Sequence, residues 1–145
     1  MSTKMSVEER EAFLAAVRIG VLSIADEGRG PLTAPVWYGY EPGGDVWILT
    51  GPNSMKGQAL EKVDRVSLCV QTEDPPYKYV SIEGPIVGRE TPDPEEHSRF
   101  LAQRYLGEKM GNAYVAANEG SQPSMLFRIQ PERWLTVDYS KMVMD

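Results

Sequence analysis

Thr50, Ser54 and Lys56 bring two hydroxyl groups and an ammonium group together at the end of an apolar run of the sequence. A Gly-Pro-Asn-Ser turn at residues 51–54 separates that run from a short helical pattern. The first backbone N–H groups of a helix have no intrahelical partner, and the helix dipole is positive at that end. Hydroxyl and ammonium donors strengthen such a start as an anion site. The residues therefore indicate a phosphate-binding site, and with it a phosphorylated cofactor.

An ordinary helix start explains the same residues without any ligand. Serine and asparagine are preferred N-cap residues, because their side-chain oxygens accept a hydrogen bond from the first turn. Lys56 is then a solvent-exposed charge close to the cap. The local pattern leaves both interpretations open, since short motifs also match by chance.

The single cysteine and the single histidine limit the other kinds of chemistry. Cys69 lies in an apolar strand pattern, residues 66–70, where we expect a packed thiol. His97 lies in a polar helix start, where we expect it to be solvated. These residues cannot supply an internal disulfide, a Ser-His-Asp triad or a usual zinc site, so no metal site is predicted.

Composition indicates one globular domain that spans residues 1–145. Fifteen basic and twenty-one acidic residues give a net charge of −6, which argues against nucleic acid or an anionic membrane as the main partner. There is no apolar run long enough to span a bilayer. Residues 1–10 are polar and lack the apolar segment of a signal peptide, so we expect a cytoplasmic protein.

Alternating and apolar runs predict a chain dominated by β-strands. Strands are predicted at residues 21–25, 34–40, 46–50, 66–71, 77–87, 124–129 and 134–137. Helices are predicted after a capping box at Ser6 and Glu9, from about Ser54 to Lys62, from Pro94 to about Tyr105, and at residues 112–118. Pro35 predicts an edge strand or a bulge, and the Gly-Pro pair at residues 84–85 predicts a second bulge.

Hairpin turns between most strands favour a mainly β (α+β) fold, an antiparallel β-barrel with flanking helices. A doubly wound sheet needs helices between most of its strands, and the sequence lacks them. No Gly-x-Gly-x-x-Gly motif follows a strand, which argues against a Rossmann dinucleotide site.

The order of these elements and several short motifs resemble the pyridoxamine 5′-phosphate oxidase-like proteins, the split β-barrels that bind flavins. The resemblance extends over roughly residues 7–139 and rests on motifs at residues 18–23, 35–38, 54–57, 64–68 and 80–84. The C-terminal motifs, Pro-Glu-Arg-Trp at 131–134 and Asp-Tyr-Ser-Lys at 138–141, are similar to a branch that includes deazaflavin-dependent reductases.

The resemblance implies a flavin-type cofactor and assigns residues to it. The positions that carry over as cofactor-binding are Pro35, Val36, Trp37, Thr50, Ser54, Met55, Lys56 and Gly57. Residues 54–57 would hold the cofactor phosphate, Thr50 the phosphate or ribityl chain, and residues 35–37 the edge of the isoalloxazine ring. Met55 stands where the family usually has arginine, which removes a bidentate phosphate contact. Both FMN and the deazaflavin F-420 remain candidates, with F-420 slightly favoured.

By the same resemblance, the protein is expected to be an oxidoreductase that transfers hydride between F-420 or FMN and a small conjugated acceptor such as an enone, quinone or tetrapyrrole. It is also expected to form a homodimer with cofactor sites at the interface. Tyr38 and Tyr79 are candidate proton donors, although packing explains each more simply. Arg133 and Lys141 are candidate contacts for a charged cofactor tail, and residues 112–122 are a candidate lid.

Two alternatives stay open. One is a flavin- or F-420-binding protein that sequesters or senses its cofactor without turnover. The other, less favoured, is a haem-binding split barrel, for which His97 in an acidic helix start is a poor axial ligand. The Arg-x-His pattern that pyridoxamine phosphate oxidase uses for its substrate is absent from the C-terminal region, so that activity is not expected.

Overall fold

The computed structural model describes residues 2–142 as seven β-strands with flanking helices. The strands are β1 Gly20–Ile24, β2 Leu32–Val36, β3 Val46–Thr50, β4 Arg65–Gln71, β5 Lys78–Glu90, β6 Met125–Ile129 and β7 Arg133–Asp138. The helices are α1 Val7–Ala15, α2 Met55–Leu60 and α3 Phe100–Ala117, with a π-helical turn Pro94–Arg99 before α3 and a 3-10 turn Tyr139–Lys141 after β7. The expected single domain of residues 1–145 extends beyond the described residues at both ends.

Every strand pairing is antiparallel, in the order β2-β1-β4-β5-β6-β3, with β7 beside β5. The long strand β5 pairs with β4, β6 and β7, so it belongs to both halves of the sheet. The bulge predicted at Gly84 and Pro85 is misplaced, because the register shifts between Ile86 and Gly88. Gly84 instead permits a close backbone approach, since a Cβ there would overlap the carbonyl group of Gln130.

The sheet curls into a barrel because the chain changes partners directly after β2. The predicted strand at residues 34–40 is shorter than expected, and β2 ends at Val36. Gly39 then pairs with Trp47 of β3 through two backbone hydrogen bonds, of 2.9 and 3.0 Å. This pair connects the two ends of the strand order. Within the named strands β2 pairs only with β1, which confirms Pro35 as an edge-strand residue.

The core lies inside the curled sheet and is sealed by α1. Side chains that are fully or almost fully buried include Leu14, Leu22, Ile24, Tyr38, Ile48, Leu68, Ile82, Phe127 and Ile129. The predicted capping box that starts α1 is confirmed: the Glu9 N–H donates to Ser6 Oγ at 3.1 Å, and the Ser6 N–H donates to Glu9 Oε1 at 2.8 Å.

The helical layer between β5 and β6 consists of two helical segments that meet at a kink and together form α3. Gly107 breaks α3 with φ 83° and ψ 171°, a conformation that glycine adopts without a steric penalty. The predicted helix ending near Tyr105 and the predicted helix at 112–118 are the two parts of α3. None of the helices within residues 2–142 has the length and apolar character to cross a membrane.

Candidate functional site

A cavity of about 580 Å³ opens between the end of β2, the start of α2 and the helical layer. One wall consists of Ile19 with residues 35–37, and the facing wall comes from Leu101, Val115 and other residues of α3. The polar end contains Lys56 and much of the loop at residues 118–124. The cavity therefore combines an apolar slot with a polar rim, and its volume is typical of small-molecule sites.

The structure brings half of the residues assigned from sequence to this cavity. Pro35, Val36 and Trp37 line its apolar wall, and Lys56 lies at its polar end. The other four residues, Thr50, Ser54, Met55 and Gly57, are not part of the lining. Thr50 is the last residue of β3, Ser54 is the N-cap of α2, and Met55 and Gly57 lie in the first turn of α2.

The hydroxyl groups of Thr50 and Ser54 are engaged within the chain. Ser54 Oγ donates to the carbonyl oxygen of Gly51 at 2.7 Å and accepts from the Gly57 N–H at 3.0 Å. Since that hydroxyl has one proton, the 3.0 Å contact with Thr50 Oγ1 is donated by Thr50. The two residues act as the N-cap of α2 and its support, which fixes the helix start that carries Lys56.

Gly57 and Met55 have opposite surroundings in α2. Gly57 is buried against the preceding turn, and a Cβ at this position would overlap the carbonyl oxygen of Gly51. Met55 is 75% exposed. Gly57 thus allows α2 to pack closely, whereas Met55 occupies a position with room for a longer side chain.

Aromatic rings from α3 pack against Trp37 at the cavity wall. The rings of Trp37 and Tyr105 are parallel to within 5°, with centroids 5.2 Å apart. Tyr114, which also lines the cavity, lies 5.4 Å from Trp37 at an angle of 53°. Sequence reasoning missed both tyrosines as site residues. The only signal was that Tyr114 falls inside the segment proposed as a lid.

That candidate lid, residues 112–122, is divided between two structures. Its first part belongs to α3, and its last part is the loop on the cavity rim. Asn53 Nδ2 donates to Gln122 Oε1 at 2.9 Å, so a side-chain hydrogen bond connects the turn before α2 to this loop. The loop therefore covers one end of the cavity next to Lys56.

Charge is sparse in the cavity. Among the described lining residues, Lys56 is the one cation and Glu119 the one anion. None of the ion pairs among residues 2–142 involves Lys56. The lysine is therefore available to an anionic group that enters the cavity.

The two tyrosines named as proton donors lie elsewhere. Tyr38 is fully buried in the core, where its hydroxyl donates to the carbonyl oxygen of Leu14 at 2.7 Å. Burial raises the pKa of Tyr38 well above its usual value. Packing, the simpler explanation offered for Tyr38, therefore holds, because its hydroxyl is enclosed in the core. Tyr79 pairs with Gln71 and Val137 within the sheet and does not line the cavity.

His97 and Cys69 differ from their predicted surroundings. The His97 ring packs against Trp47 with centroids 5.1 Å apart, and its Nδ1 accepts from the Asp93 N–H at 2.8 Å. His97 is therefore half-buried rather than solvated. Cys69 is only partly buried, next to Val21 and Ser81 in the sheet, and burial raises the pKa of its thiol.

The remaining candidate residues form surface ion pairs outside the cavity. Arg133 lies 3.4 Å from Glu83, and Lys141 lies 2.6 Å from Glu9. Neither cation lines the cavity. Within residues 2–142, there is no cluster of three or more histidine, cysteine, aspartate or glutamate side chains able to hold a metal ion.

Comparison with protein families places this geometry in context. The family model described as pyridoxamine 5′-phosphate oxidase matches residues 6–138. The chain belongs to this family. The resemblance inferred from the sequence motifs is thereby confirmed. No curated protein matches the chain.

Solved structures similar to this family member share its fold. A conserved hypothetical protein of Mycobacterium tuberculosis, Rv2991, is 22% identical with a TM-score of 0.73, covering 99% of this chain and 93% of its own. An F-420 reductase is 20% identical with a TM-score of 0.67, covering 86% of this chain and 94% of its own. An FAD-binding protein of Mesorhizobium loti is 23% identical with a TM-score of 0.60, covering 91% and 92%.

These likenesses confirm the predicted fold, an antiparallel split barrel with flanking helices. By their descriptions, two of the three similar structures use a flavin or deazaflavin.

Proposed function

We propose that this protein is an oxidoreductase that binds F-420 or FMN in the cavity and transfers hydride between that cofactor and a small conjugated acceptor. The proposal rests on one observation: Lys56 lines the same cavity as Pro35, Val36 and Trp37. These residues are distant in sequence, yet the resemblance assigned all of them to one cofactor.

The donor set fits a phosphorylated ring cofactor. The slot between Trp37 and Leu101 is apolar and suits a planar ring, which gains by leaving water. Lys56, at the polar end, supplies a positive charge for a phosphate. Ser121 and Ser124 add hydroxyl groups on the same rim, where a ribityl chain would need hydrogen-bonding partners.

Two observations favour F-420 over FMN. Met55 cannot replace the arginine that would hold the FMN phosphate through two hydrogen bonds. One of the similar structures is also described as an F-420 reductase. The preference is part of the proposal, and FMN is the competing cofactor in its test.

The chain's own contribution to the reaction is binding and exclusion of water. Such a cofactor, when bound, supplies the hydride itself, and the protein positions it against the acceptor. The Trp37 wall and the α3 wall would shield the ring from solvent. Tyr114 is the tyrosine among the described lining residues, and we propose its phenol as the proton donor.

We further propose that the protein acts as a homodimer whose interface covers the open side of the cavity. Direct strand neighbours form a row of small and apolar residues across the sheet: Pro35, Val21, Cys69, Ser81 and Leu135. Val21 is 41% exposed and Leu135 is 59% exposed. Burying such a row against a second copy removes apolar surface from water, and Pro35 connects it to the cavity.

Anaerobic mixing experiments test turnover. The protein is loaded with reduced F-420 or reduced FMN and mixed with an enone, a quinone or a tetrapyrrole, and cofactor oxidation is followed by absorbance. Oxidation that depends on both protein and acceptor supports the proposal. Tight binding without oxidation by any of these acceptors would favour a sequestering or sensing protein instead.

A further inference from the structure

We propose that Tyr105 is a positioning residue for the cavity: its hydroxyl separates the ends of β1 and β2, and its ring holds Trp37 in place as an aromatic wall. The inference rests on the proposed function only in taking the ligand to be a flavin or deazaflavin ring.

The sheet register shows what Tyr105 interrupts. Gly20 pairs with Val36 at the end of the β1–β2 ladder. Continued in the same register, the next residues would place Arg18 opposite Tyr38. These two residues do not pair, and β2 stops at Val36.

The hydroxyl of Tyr105 occupies the position of the missing pair. It accepts from the Tyr38 N–H at 3.1 Å and donates to the carbonyl oxygen of Arg18 at 2.7 Å. The Tyr38 carbonyl oxygen lies 3.2 Å from the same hydroxyl. A side chain thus satisfies the backbone groups that an antiparallel ladder would otherwise join.

Separation of the strands at this point shapes the cavity. In the continued register, Ile19 would face Trp37, one position before Arg18 and Tyr38. Both Ile19 and Trp37 line the cavity. If β1 and β2 continued to pair, their backbones would close together here. The inserted hydroxyl therefore keeps one wall of the cavity open.

Tyr105 is itself held firmly, so it can act as a fixed support. The preceding residue, Arg104, donates from Nη2 to the carbonyl oxygens of Ala15 at 2.8 Å and Ala16 at 3.1 Å. This anchors α3 on the segment between α1 and β1. The Tyr105 ring, parallel to Trp37 at 5.2 Å, then limits the indole to one orientation.

Tyr105→Phe tests the role of the hydroxyl, with Tyr77→Phe as the matched control. Phenylalanine keeps the ring stacked on Trp37, so the fold is retained, but the Tyr38 N–H and the Arg18 carbonyl oxygen lose the hydroxyl that bridges them. Tyr77 is 52% exposed and does not line the cavity, and none of the hydrogen bonds described for residues 2–142 uses its hydroxyl. Amide hydrogen exchange without any ligand is measured first, and FMN and F-420 are then titrated into each protein.

For Tyr105→Phe we expect exchange of the Tyr38 amide to become about tenfold faster, while amides of β4 exchange as before. We also expect the dissociation constant of the cofactor that the wild type binds to rise by about fivefold or more. Tyr77→Phe should change either quantity by less than about twofold. If Tyr105 only stabilised the fold, Tyr105→Phe would instead accelerate amide exchange throughout the sheet.

The inference is overturned if Tyr105→Phe leaves exchange of the Tyr38 amide unchanged. It is also overturned if that exchange becomes faster while the dissociation constant of the cofactor stays the same. If the wild-type protein binds neither cofactor, the proposed function fails, and exchange alone decides about Tyr105. Local acceleration at Tyr38 then supports the separation of the strands, and its absence overturns it.

Discussion

Lys56 is the residue on which the binding proposal depends most directly. It is the one cation among the described lining residues, and none of the ion pairs found within residues 2–142 involves it. We expect Lys56→Ala to weaken cofactor binding by about 1.5–3 kcal/mol, the range for a hydrogen bond to a charged group. A fluorescence titration measures this, with Lys62→Ala as the control, because Lys62 is exposed and does not line the cavity. Equal affinities for all three proteins would contradict the phosphate assignment.

Met55 provides a gain-of-binding experiment at the adjacent position. Its side chain is 75% exposed, so an arginine fits there without steric cost. We expect Met55→Arg to strengthen FMN binding by about 1.5 kcal/mol through a charge-assisted hydrogen bond. Met110→Arg, at another methionine that is 63% exposed, controls for the added charge. FMN affinity that does not differ between the two variants would mean that position 55 does not face the phosphate.

At the residue scale, sequence patterns predicted chemistry better than they predicted contacts. The motif containing Lys56 could be recognised because a cap and a cation are local features of the sequence. The stacking of Tyr105 on Trp37 could not be recognised, since it depends on how α3 folds back over β2. The partner of the Tyr38 hydroxyl could not be recognised either, because the Leu14 carbonyl oxygen that accepts its hydrogen bond is distant in sequence.

Helix α2 packs on its preceding turn through Gly57, which gives a stability prediction. A Cβ at Gly57 would overlap the Gly51 carbonyl oxygen, whereas a Cβ at Gly51 has no neighbour within 4 Å. We expect Gly57→Ala to lower the free energy of unfolding by about 1–3 kcal/mol, the usual cost of overpacking. Gly51→Ala is the control in the same turn and should change it by less than about 0.5 kcal/mol. Urea unfolding measures both variants, and equal stabilities would refute the close approach.

Helix α1 carries a pH-dependent contribution to stability at Glu9. Hydrogen bonds from Lys141, and then from the Ser6 backbone and side chain, lower the pKa of Glu9 from 4.5 to about 2. Because the folded-state pKa is lowered, the contribution is complete above about pH 4.5 and is lost as the pH falls towards 2.

We therefore expect Glu9→Gln to be less stable than the wild type at neutral pH, with a difference that shrinks as the pH falls through this window. Urea midpoints across the pH range measure it. Glu8→Gln, in the same first turn, is the control. A difference between Glu9→Gln and the wild type that stays constant down to pH 2 would contradict the assignment.

At the element scale, local signals located helix starts and failed at strand ends. The capping box of α1 was predicted correctly because all its partners lie within four residues. The end of β2 was misjudged, since the run at residues 34–40 stays apolar while its pairing changes from β1 to β3. The bulge in β5 was placed at Gly84, because sequence cannot distinguish a glycine that permits close approach from one that permits a bulge.

The proposed homodimer makes a prediction for the whole molecule. Leu135, 59% exposed in the apolar row across the sheet, would be buried at the interface. We expect Leu135→Asp to shift the protein from dimer to monomer, because burial of an unpaired carboxylate opposes association. Sedimentation equilibrium measures the shift, with Val7→Asp on α1 as the control, since Val7 is 55% exposed away from the sheet. A wild-type monomer, or a dimer that survives Leu135→Asp, would contradict this interface.

The fold as a whole was predictable because many weak signals agree. The order of strands, hairpin turns and helix starts led to an antiparallel barrel, and the family resemblance implied the split barrel, which the similar structures confirm. The cavity was only half predictable. Its β2 wall and Lys56 lie in recognisable motifs, whereas the α3 wall and the loop at 118–124 carry no pattern that marks them as site residues.

The most direct test of the central claim is a parallel fluorescence titration of the wild-type protein with F-420 and with FMN. The account predicts saturable binding of at least one cofactor, with F-420 preferred, at one site per chain. Preference for FMN would keep the flavin-type site and reverse the inferred role of Met55. Binding of neither cofactor would contradict the claim that this cavity holds a phosphorylated flavin or deazaflavin.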